Sequence, residues 1–236
     1  MSAIEQSGIA NRLLRALPEA EFARLAPALE LLDLPLGRTL FPAEGEVDAA
    51  WFVETGTVSM LARLEEGGLM EVGIVGPEGM AGLPLVFGTG VSPIEALVQV
   101  PGRSLRIAGA AFRRALAESP ALLPLLLRYA QVFYAQVTQA AACNGNHTLE
   151  QRLARWLLMV HDRVMGDELP LTQEFLAQML GVRRPGVTIA AGILQNAGLI
   201  RHRRGHVTIL DRDGLENASC ECYGAIRRLT ARLLGA

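Results

Sequence analysis

Five side chains that offer hydrogen-bond donors or apolar surface cluster at the start of one short predicted helix. They are Arg183, Arg184, Pro185, Thr188 and Ile189. A guanidinium group can donate two hydrogen bonds to O6 and N7 of guanine, while apolar groups can contact the methyl group of thymine. We therefore expect Arg183, Arg184 and Thr188 to read base edges, with Pro185 and Ile189 against thymine methyl groups.

Two short helices joined by a tight turn would hold these residues. The first helix is predicted to begin after Thr172, whose hydroxyl can accept a hydrogen bond from the first turn. Gly181 would end it, because glycine adopts the left-handed conformation at little cost. Pro185 suits the first turn of the second helix, where its missing N–H would have no partner. Helix, turn and helix in this order are typical of proteins whose second helix enters the major groove.

A basic hairpin is predicted directly after the second helix. Residues 199–209 form two short β-like runs, with Gly205 at the turn between them. Four side chains around this turn could hold phosphate groups: Arg201, Arg203, Arg204 and His206. The two helices alone could also be an ordinary helical hairpin with a solvated turn, but the basic hairpin beside them favours a winged DNA-binding domain.

Charge is distributed unevenly along the chain. The net charge of the whole chain is −2, which by itself does not indicate a DNA-binding protein. Residues 1–146 contain 10 arginines and 15 acidic residues, whereas residues 147–236 contain 12 arginines and 9 acidic residues. The sequence therefore predicts an acidic module joined to a basic, DNA-facing module.

The part of the chain before residue 110 has a different pattern. Residues 4–32 are predicted to form short helices, and β-like runs alternate with glycine turns after Leu34. The predicted strands are Arg38–Phe41, Ala50–Glu54, Thr57–Leu64, Leu69–Ile74, Glu95–Val100 and Arg103–Ile107. Strands of about 5–8 residues at this spacing are typical of a small antiparallel barrel or jelly roll.

A long helix is predicted from Ser119-Pro120 to about Cys143. Its apolar residues recur alternately every three and four positions, as in a coiled coil. The predicted seam between two copies consists of Leu122, Leu126, Tyr129, Phe133, Gln136 and Ala140. A long core helix within one chain is the alternative. We favour a dimer, because paired recognition helices need an axis that spaces them by one DNA turn.

The segment after the long helix is interpreted as a hinge. Asn144–His147 is predicted to break the helix, and Thr148 with Gln151 forms a capping box that starts the next one. A terminal amphipathic helix is predicted over Asp213–Leu234.

This order of elements resembles the cyclic-AMP receptor protein/Fnr (Crp/Fnr) family of bacterial transcription regulators. The resemblance covers about residues 34–211 and is most specific in the segments WFVETGTVSML and LTQEFLAQMLGVRRPGVTIAAGILQNAGLI. It implies a β-roll that senses a small molecule, a long helix that dimerises, and wings that bind a palindromic operator. It also implies recruitment or blocking of RNA polymerase.

The predicted fold class is α+β, with three parts. Residues 1–118 would form a jelly-roll β-roll like a cyclic-nucleotide-binding domain, preceded by short helices. Residues 119–146 would form the dimerisation helix and hinge. Residues 147–236 would form a C-terminal winged helix-turn-helix domain.

The predicted effector pocket departs from the family's pattern. Members that bind cyclic nucleotides carry a glutamate just after a glycine, for the ribose, and an Arg-Ser/Thr-Ala run for the phosphate. The corresponding segments here are Gly79-Met80-Ala81-Gly82 and Ile94-Glu95-Ala96. Because Ile94 stands where the arginine is expected, a desolvated phosphate would lack a paired charge, at a cost of several kcal/mol. We expect either a roll filled by side chains or a cavity for an apolar or weakly polar ligand.

Residues for a metal cofactor in the roll are missing from the sequence. Iron–sulfur members of the family need four cysteine ligands, and this chain has three, at Cys143, Cys220 and Cys222. A haem or a cupin-type metal enzyme would need a histidine in the roll, but all four histidines follow residue 146. Cys220 and Cys222 are predicted to be free thiols, since residues i and i+2 of a helix point to different faces. We expect no cofactor, no metal and no enzymatic activity.

The predicted protein is a cytoplasmic homodimer that binds double-stranded DNA. No run of about 18 apolar residues predicts a membrane span, and the first residues lack the pattern of a secretory signal. Two alternatives stay open: a regulator that responds to cyclic nucleotides through an atypical pocket, and a winged-helix module for protein contacts.

Overall fold

The chain folds as an N-terminal β-roll, a long helix and a C-terminal winged helix-turn-helix domain, in agreement with the predicted α+β class. The computed structural model describes residues 4–65, 68–203 and 205–235. Within these ranges, no helix has both the length and the apolar character needed to cross a membrane.

The β-roll contains six antiparallel strands. Two short helices, α1 (Arg12–Arg15) and α2 (Glu19–Leu25), precede them. The strands are β1 (Glu30–Leu34), β2 (Thr39–Phe41), β3 (Ala49–Arg63), β4 (Leu69–Val75), β5 (Met80–Ala81) and β6 (Glu95–Ala108). Helix α3 (Leu83–Val86) lies between β5 and β6, and α4 (Gly109–Glu118) follows β6. The sheet order is β1-β6-β3-β4, with β2 beside β6 and β5 beside β3.

Two long strands replace four of the predicted short ones. The predicted segments 50–54 and 57–64 are joined in β3, and the segments 95–100 and 103–107 are joined in β6. The register between β3 and β6 shifts around Gly56, which has a φ of +80°. A Cβ atom there would lie 2.4 Å from the carbonyl oxygen of Val100, so the close approach requires glycine. Glycine marks a bulge here, where the sequence interpretation placed a turn.

The start of the sheet also differs from the prediction. Strand β1 begins at Glu30, although helix was predicted up to residue 32. Pairing with β6 over residues 102–106 overrides the local apolar spacing. Inside the roll, Phe52 packs edge-on against Phe112 of α4, with ring centroids 6.2 Å apart.

The long helix, α5 (Leu122–Asn146), closes the open side of the roll. It extends past the predicted end at Cys143, because only His147 leaves the helical conformation. The predicted break at residues 144–146 is therefore wrong, and only His147 and Thr148 separate α5 from the next helix. Helix α6 (Leu149–His161) follows, and the predicted capping box of Thr148 and Gln151 is confirmed.

The C-terminal domain contains a three-stranded sheet and four further helices. Its elements are β7 (Glu168–Leu169), α7 (Gln173–Leu180), α8 (Arg184–Asn196), β8 (Ile200–Arg203), β9 (His206–Ile209), α9 (Arg212–Ala218) and α10 (Cys222–Leu234). Strand β7 pairs with β9 and was not predicted. The predicted single terminal helix is wrong, because the chain leaves the helical conformation between Ala218 and Cys222.

The C-terminal domain packs on the outer face of the roll. Leu61, Ile74 and Val100 of the roll share one apolar cluster with α6, α7 and α8. Arg163, just after α6, forms an ion pair of 2.6 Å with Glu78, and both side chains are largely buried. Helix α10 packs along α5. The roll therefore holds the C-terminal domain through both apolar and charged contacts.

Candidate nucleic-acid interface

Helices α7 and α8 meet in the predicted helix-turn-helix geometry. The backbone N–H of Phe175 donates a 3.1 Å hydrogen bond to the Thr172 hydroxyl, which caps α7 as expected. Gly181 ends α7 with a φ of +63°, the left-handed conformation that glycine tolerates. The buried face of α8 includes Val187 and Leu194, and this packing turns the opposite face outward.

The outward face of α8 carries all five predicted base-reading residues. Arg183 precedes the first helical residue, and the others follow in the first turn and a half: Arg184, Pro185, Thr188 and Ile189. All five are exposed, and Ile189 keeps 67% of its surface accessible. The fold thus brings together guanidinium, hydroxyl and apolar groups at one helix end.

Gln173, the first residue of α7, belongs to the same surface and was missed in the sequence. Its Oε1 accepts a 2.9 Å hydrogen bond from the hydroxyl of Thr188, and the carbonyl oxygen of Arg184, 3.2 Å from the same hydroxyl, is the alternative acceptor. Gln173 therefore holds Thr188 in place at the interface. This contact joins residues 15 positions apart and depends on how α7 and α8 cross. A local sequence pattern therefore cannot predict it.

The wing lies beside α8, as predicted. Strands β8 and β9 pair Arg203 with His206 across a turn at Gly205, which has a φ of +83°. Gln195 of α8 accepts a 2.9 Å hydrogen bond from the backbone N–H of His202 and so fixes the wing to the recognition helix.

The predicted phosphate ligands of the wing differ in their surroundings. Arg201 and Arg203 are exposed. His206 is also exposed, but its Nδ1 lies 3.3 Å from the Glu168 carboxylate, which competes with a phosphate for this ring. Arg204 lies outside the residues that the structure describes.

The predicted seam on α5 is wrong in its register. Five of the six seam residues are buried in their own chain: Leu122, Leu126, Tyr129, Gln136 and Ala140. Gln136 hydrogen-bonds to both the N–H and the C=O of Ile74, and the Tyr129 hydroxyl donates to the carbonyl oxygen of Met80. Phe133 is half-buried and packs against the roll. These side chains hold α5 on its own sheet and are not available to a second copy.

A second apolar stripe on α5, displaced by one residue from the predicted seam, faces solvent instead. Leu123, Leu127 and Tyr134 are 38%, 50% and 69% exposed. Half-buried Ala130 and Val137 continue the same alternating spacing of four and three residues. This exposed face of α5 is the outer stripe.

An apolar hollow of about 470 Å³ lies between the roll and α5. Of the seven predicted pocket residues, Met80, Ala81, Gly82 and Ile94 line it. Its other lining residues are Met60, Val75, Leu83, Pro84, Phe87, Thr89, Val91, Ser92, Pro93, Ala130, Phe133, Tyr134 and Val137. None of the described residues in this lining is charged, so the hollow suits an apolar or weakly polar molecule better than an anion.

The other three predicted pocket residues do not line the hollow. Gly79 packs against the ring of Tyr129, where a Cβ atom would not fit. The Glu95 carboxylate lies 2.9 Å from the guanidinium group of Arg63 and accepts a hydrogen bond from the Thr39 hydroxyl. Ala96 is fully buried.

Cys220 and Cys222 are free thiols, as predicted, but they lie close to other metal-binding side chains. Cys143, Cys220 and Cys222 form one buried cluster with His147 beside it. The prediction assumed that residues 220 and 222 share a helix, but Cys220 lies in the turn before α10 and only Cys222 is helical. This cluster lies apart from the α8 surface.

Comparisons with known proteins agree with this geometry. The Crp-like helix-turn-helix domain model matches residues 151–218. A CRP-like cAMP-activated global transcriptional regulator of Mycobacterium tuberculosis is 27% identical over 211 residues, which cover 86% of this chain and 94% of that protein.

Solved structures share the whole fold. A putative transcriptional regulator of the Crp/Fnr family from Eubacterium rectale matches 87% of this chain and 96% of its own, with a TM-score of 0.69 and 19% identity. FixK2 from Bradyrhizobium japonicum matches 81% of this chain and 98% of its own, with a TM-score of 0.68 and 16% identity. The relatives are described as regulators and not as enzymes, in agreement with the prediction. The chain is therefore similar to Crp/Fnr transcription regulators both in its recognition domain and in its overall fold.

Proposed function

We propose that two copies of this chain bind a palindromic DNA operator. Each copy would insert the start of α8 into the major groove and lay its wing along the phosphates. The observation that carries the proposal is the exposed cluster of Arg183, Arg184, Thr188 and Ile189 at one helix end. The N-terminus of α8 adds its partial positive charge to these guanidinium groups, which favours the approach of an anionic duplex.

This proposal gives different roles to the arginines of α8 and to those of the wing. Arg183 and Arg184 read guanine with two-pronged hydrogen bonds, and Ile189 contacts a thymine methyl group. Arg201 and Arg203 hold phosphates and set the register of the domain on the duplex. Gln173 restricts the rotamers of Thr188, because the two side chains are hydrogen-bonded before DNA arrives.

The outer stripe of α5 supplies the dimer axis in this proposal. Leu123, Leu127 and Tyr134 would pack against the same residues of a second copy, so that apolar surface leaves water on both helices. A helix of 25 residues is long enough for several such layers. Two-fold pairing would space the two recognition helices for a palindromic site.

The hollow beside α5 is the proposed effector site. Ala130, Tyr134 and Val137 belong both to the hollow and to the outer stripe, so a molecule in the hollow would touch the dimer contact directly. Its apolar lining favours a ligand without a phosphate, or a dimer that needs no effector. A cyclic nucleotide is the alternative suggested by the Mycobacterium tuberculosis relative, whose description names cAMP. The uncharged lining argues against it here.

The proposed action is transcriptional control in the cytoplasm, where the bound dimer would recruit or block RNA polymerase. A winged-helix module for protein contacts is the competing function. The basic character of the α8 and wing surface favours DNA, because arginines at a helix start pair well with phosphates and guanine.

Binding of labelled genomic fragments separates these functions. We expect the purified protein to retain a small set of fragments at physiological salt and to lose affinity steeply as salt rises, because phosphate contacts release counterions. Retention of no fragment above random DNA would reject the proposal and favour the protein-contact module.

A further inference from the structure

Four side chains with metal-binding atoms converge where the long helix meets the last one. Cys143 lies in the last turn of α5, and His147 follows this helix directly. Cys220 and Cys222 flank the start of α10. The sulfur and imidazole nitrogen atoms of these four residues all lie within 4.8 Å of one another. The chain thus brings together one histidine and three cysteines from segments about 75 residues apart.

The spacing of these atoms fits one tetrahedral ion. Sγ of Cys143 lies 3.5 Å from Sγ of Cys220, and Sγ of Cys222 lies 3.5 Å from Nδ1 of His147. Zinc–sulfur bonds of about 2.3 Å and zinc–nitrogen bonds of about 2.0–2.1 Å would separate tetrahedral ligands by about 3.6–3.8 Å. A disulfide would need about 2.05 Å between the sulfur atoms. The two separations of 3.5 Å agree with ligands around a shared centre.

The histidine ring is oriented as a metal ligand should be. While Nδ1 faces Cys222, Nε2 lies 3.2 Å from the Glu221 carboxylate. Metal-binding histidines commonly donate their second N–H to a carboxylate, which fixes the tautomer and raises the basicity of the ligating nitrogen. The Gln139 amide donates a 3.1 Å hydrogen bond to Sγ of Cys222, as expected beside a thiolate.

Buried positive charge lies next to the cluster. A zinc ion with three thiolates and one neutral imidazole carries one net negative charge. Arg152 and Arg155 are 9% and 5% exposed and interact electrostatically with the cysteines. The Nε atoms of both arginines are buried without a hydrogen-bond partner among the residues that the structure describes. These two guanidinium groups can balance the charge of the loaded site.

We propose that Cys143, His147, Cys220 and Cys222 bind one zinc ion that ties α10 to the end of α5. Three cysteines and one histidine form a closed four-ligand set of the kind found in structural zinc sites. Sulfur-rich sites favour zinc over hard cations such as magnesium. No coordination position is left open for a substrate, so the ion holds structure. It would tie the end of α5 to the C-terminal domain, because Cys143 and His147 precede α6 whereas Cys220 and Cys222 follow α9.

Cobalt(II) titration of the reduced, metal-free full-length chain tests the site directly. We expect one Co(II) per chain, with the intense d–d absorption of a tetrahedral complex and thiolate-to-metal charge-transfer bands. Zinc should displace the cobalt. Weak octahedral-type absorption, or substoichiometric binding, would overturn the proposal. So would a Cys143–Cys220 disulfide found by mass spectrometry in protein prepared under reducing conditions with zinc present.

Variants separate the four ligands from general folding effects. Cys220→Ser and His147→Ala should lose tetrahedral Co(II) binding, and His147→Cys should restore it. Glu221→Gln should weaken zinc binding by about 10-fold to 100-fold through loss of the partner that orients His147. His161→Ala is the matched control, because His161 also pairs with a carboxylate, Asp167 at 2.8 Å, but lies outside the cluster. Equal zinc affinity in wild type, Cys220→Ser and His147→Ala would contradict the site.

Discussion

The indole Nε1 of Trp156 donates a 2.7 Å hydrogen bond to Oε1 of Glu71, across the boundary between the C-terminal domain and the roll. The other oxygen of this carboxyl group accepts a 2.6 Å hydrogen bond from Ser59. Burial raises the pKa of Glu71 to about 7, and the hydrogen bonds from Ser59 and Trp156 only partly oppose that rise. A titratable group therefore lies at the contact that holds the DNA-binding domain on the roll.

This pKa predicts that the free energy of unfolding falls as pH rises through neutrality. An unfolded glutamate has a pKa of 4.5, so the folded chain holds more protons than the unfolded chain between pH 4.5 and about 7. The contribution is complete below pH 4.5 and is lost progressively up to about pH 7. Its size is about 3–4 kcal/mol at about 1.4 kcal/mol per pKa unit. Glu71→Gln should remove this slope in denaturant unfolding measured from pH 5 to pH 8.

Glu19→Gln is the control for that measurement, because Glu19 is an exposed carboxylate at the start of α2. Its slope should match that of the wild type. If Glu71→Gln keeps the wild-type slope as well, Glu71 is not the group that titrates at the boundary.

Arg184→Ala and Arg203→Ala should weaken DNA binding in different ways. Loss of a two-pronged guanine contact should cost about 1–3 kcal/mol on the preferred site and relax one base position. Loss of a phosphate contact should weaken all sequences similarly and reduce the salt slope by about one. Fluorescence anisotropy on specific and random duplexes at several salt concentrations measures both effects. An equal loss on both duplexes for both variants would reject the division of roles.

Leu127→Asp should convert the protein into a folded monomer. Leu127 is half exposed on the outer stripe, so a carboxylate there is solvated in the monomer but buried in the proposed pair. Sedimentation velocity gives the mass of the species. Leu36→Asp is the matched control, since Leu36 is 61% exposed and lies away from α5. A Leu127→Asp protein that sediments as a dimer would exclude the outer stripe as the axis.

Cyclic AMP and cyclic GMP at millimolar concentration should leave the melting temperature unchanged. The hollow offers a phosphate no charged partner among its described lining residues. An apolar fluorescent probe should bind there, and Ile94→Trp should abolish its binding by filling the space. A ligand at 100 times its dissociation constant would stabilise the folded state by about 2.7 kcal/mol, which thermal unfolding detects. A clear stabilisation by either nucleotide would restore cyclic-nucleotide control.

Local sequence signals located the helix-turn-helix and the wing almost residue by residue. Thr172, Gly181 and Pro185 act within one turn of themselves, through capping and backbone conformation. Such signals do not depend on the rest of the fold, and the boundaries of α7 and α8 follow from them.

Features that depend on distant contacts were missed or misplaced. Two apolar stripes run along α5, and periodicity alone does not tell which one the chain covers with its own sheet. The hydrogen bonds between Gln136 and Ile74 show which of the two stripes lies against the sheet. The ligand cluster joins Cys143 to Cys220 across 77 positions, so spacing in the sequence gives no sign of it.

The central claim is that two copies of this chain bind a palindromic operator. The most direct test selects bound duplexes from random DNA and then measures the mass of the purified complex. We expect a consensus of two inverted half-sites, centred about one helical turn of DNA apart, with two chains on each duplex. Arg184→Ala should lose the preference at one symmetric pair of base positions. A consensus without inverted symmetry bound by a single chain, or no consensus at all, would contradict a dimeric operator-binding regulator.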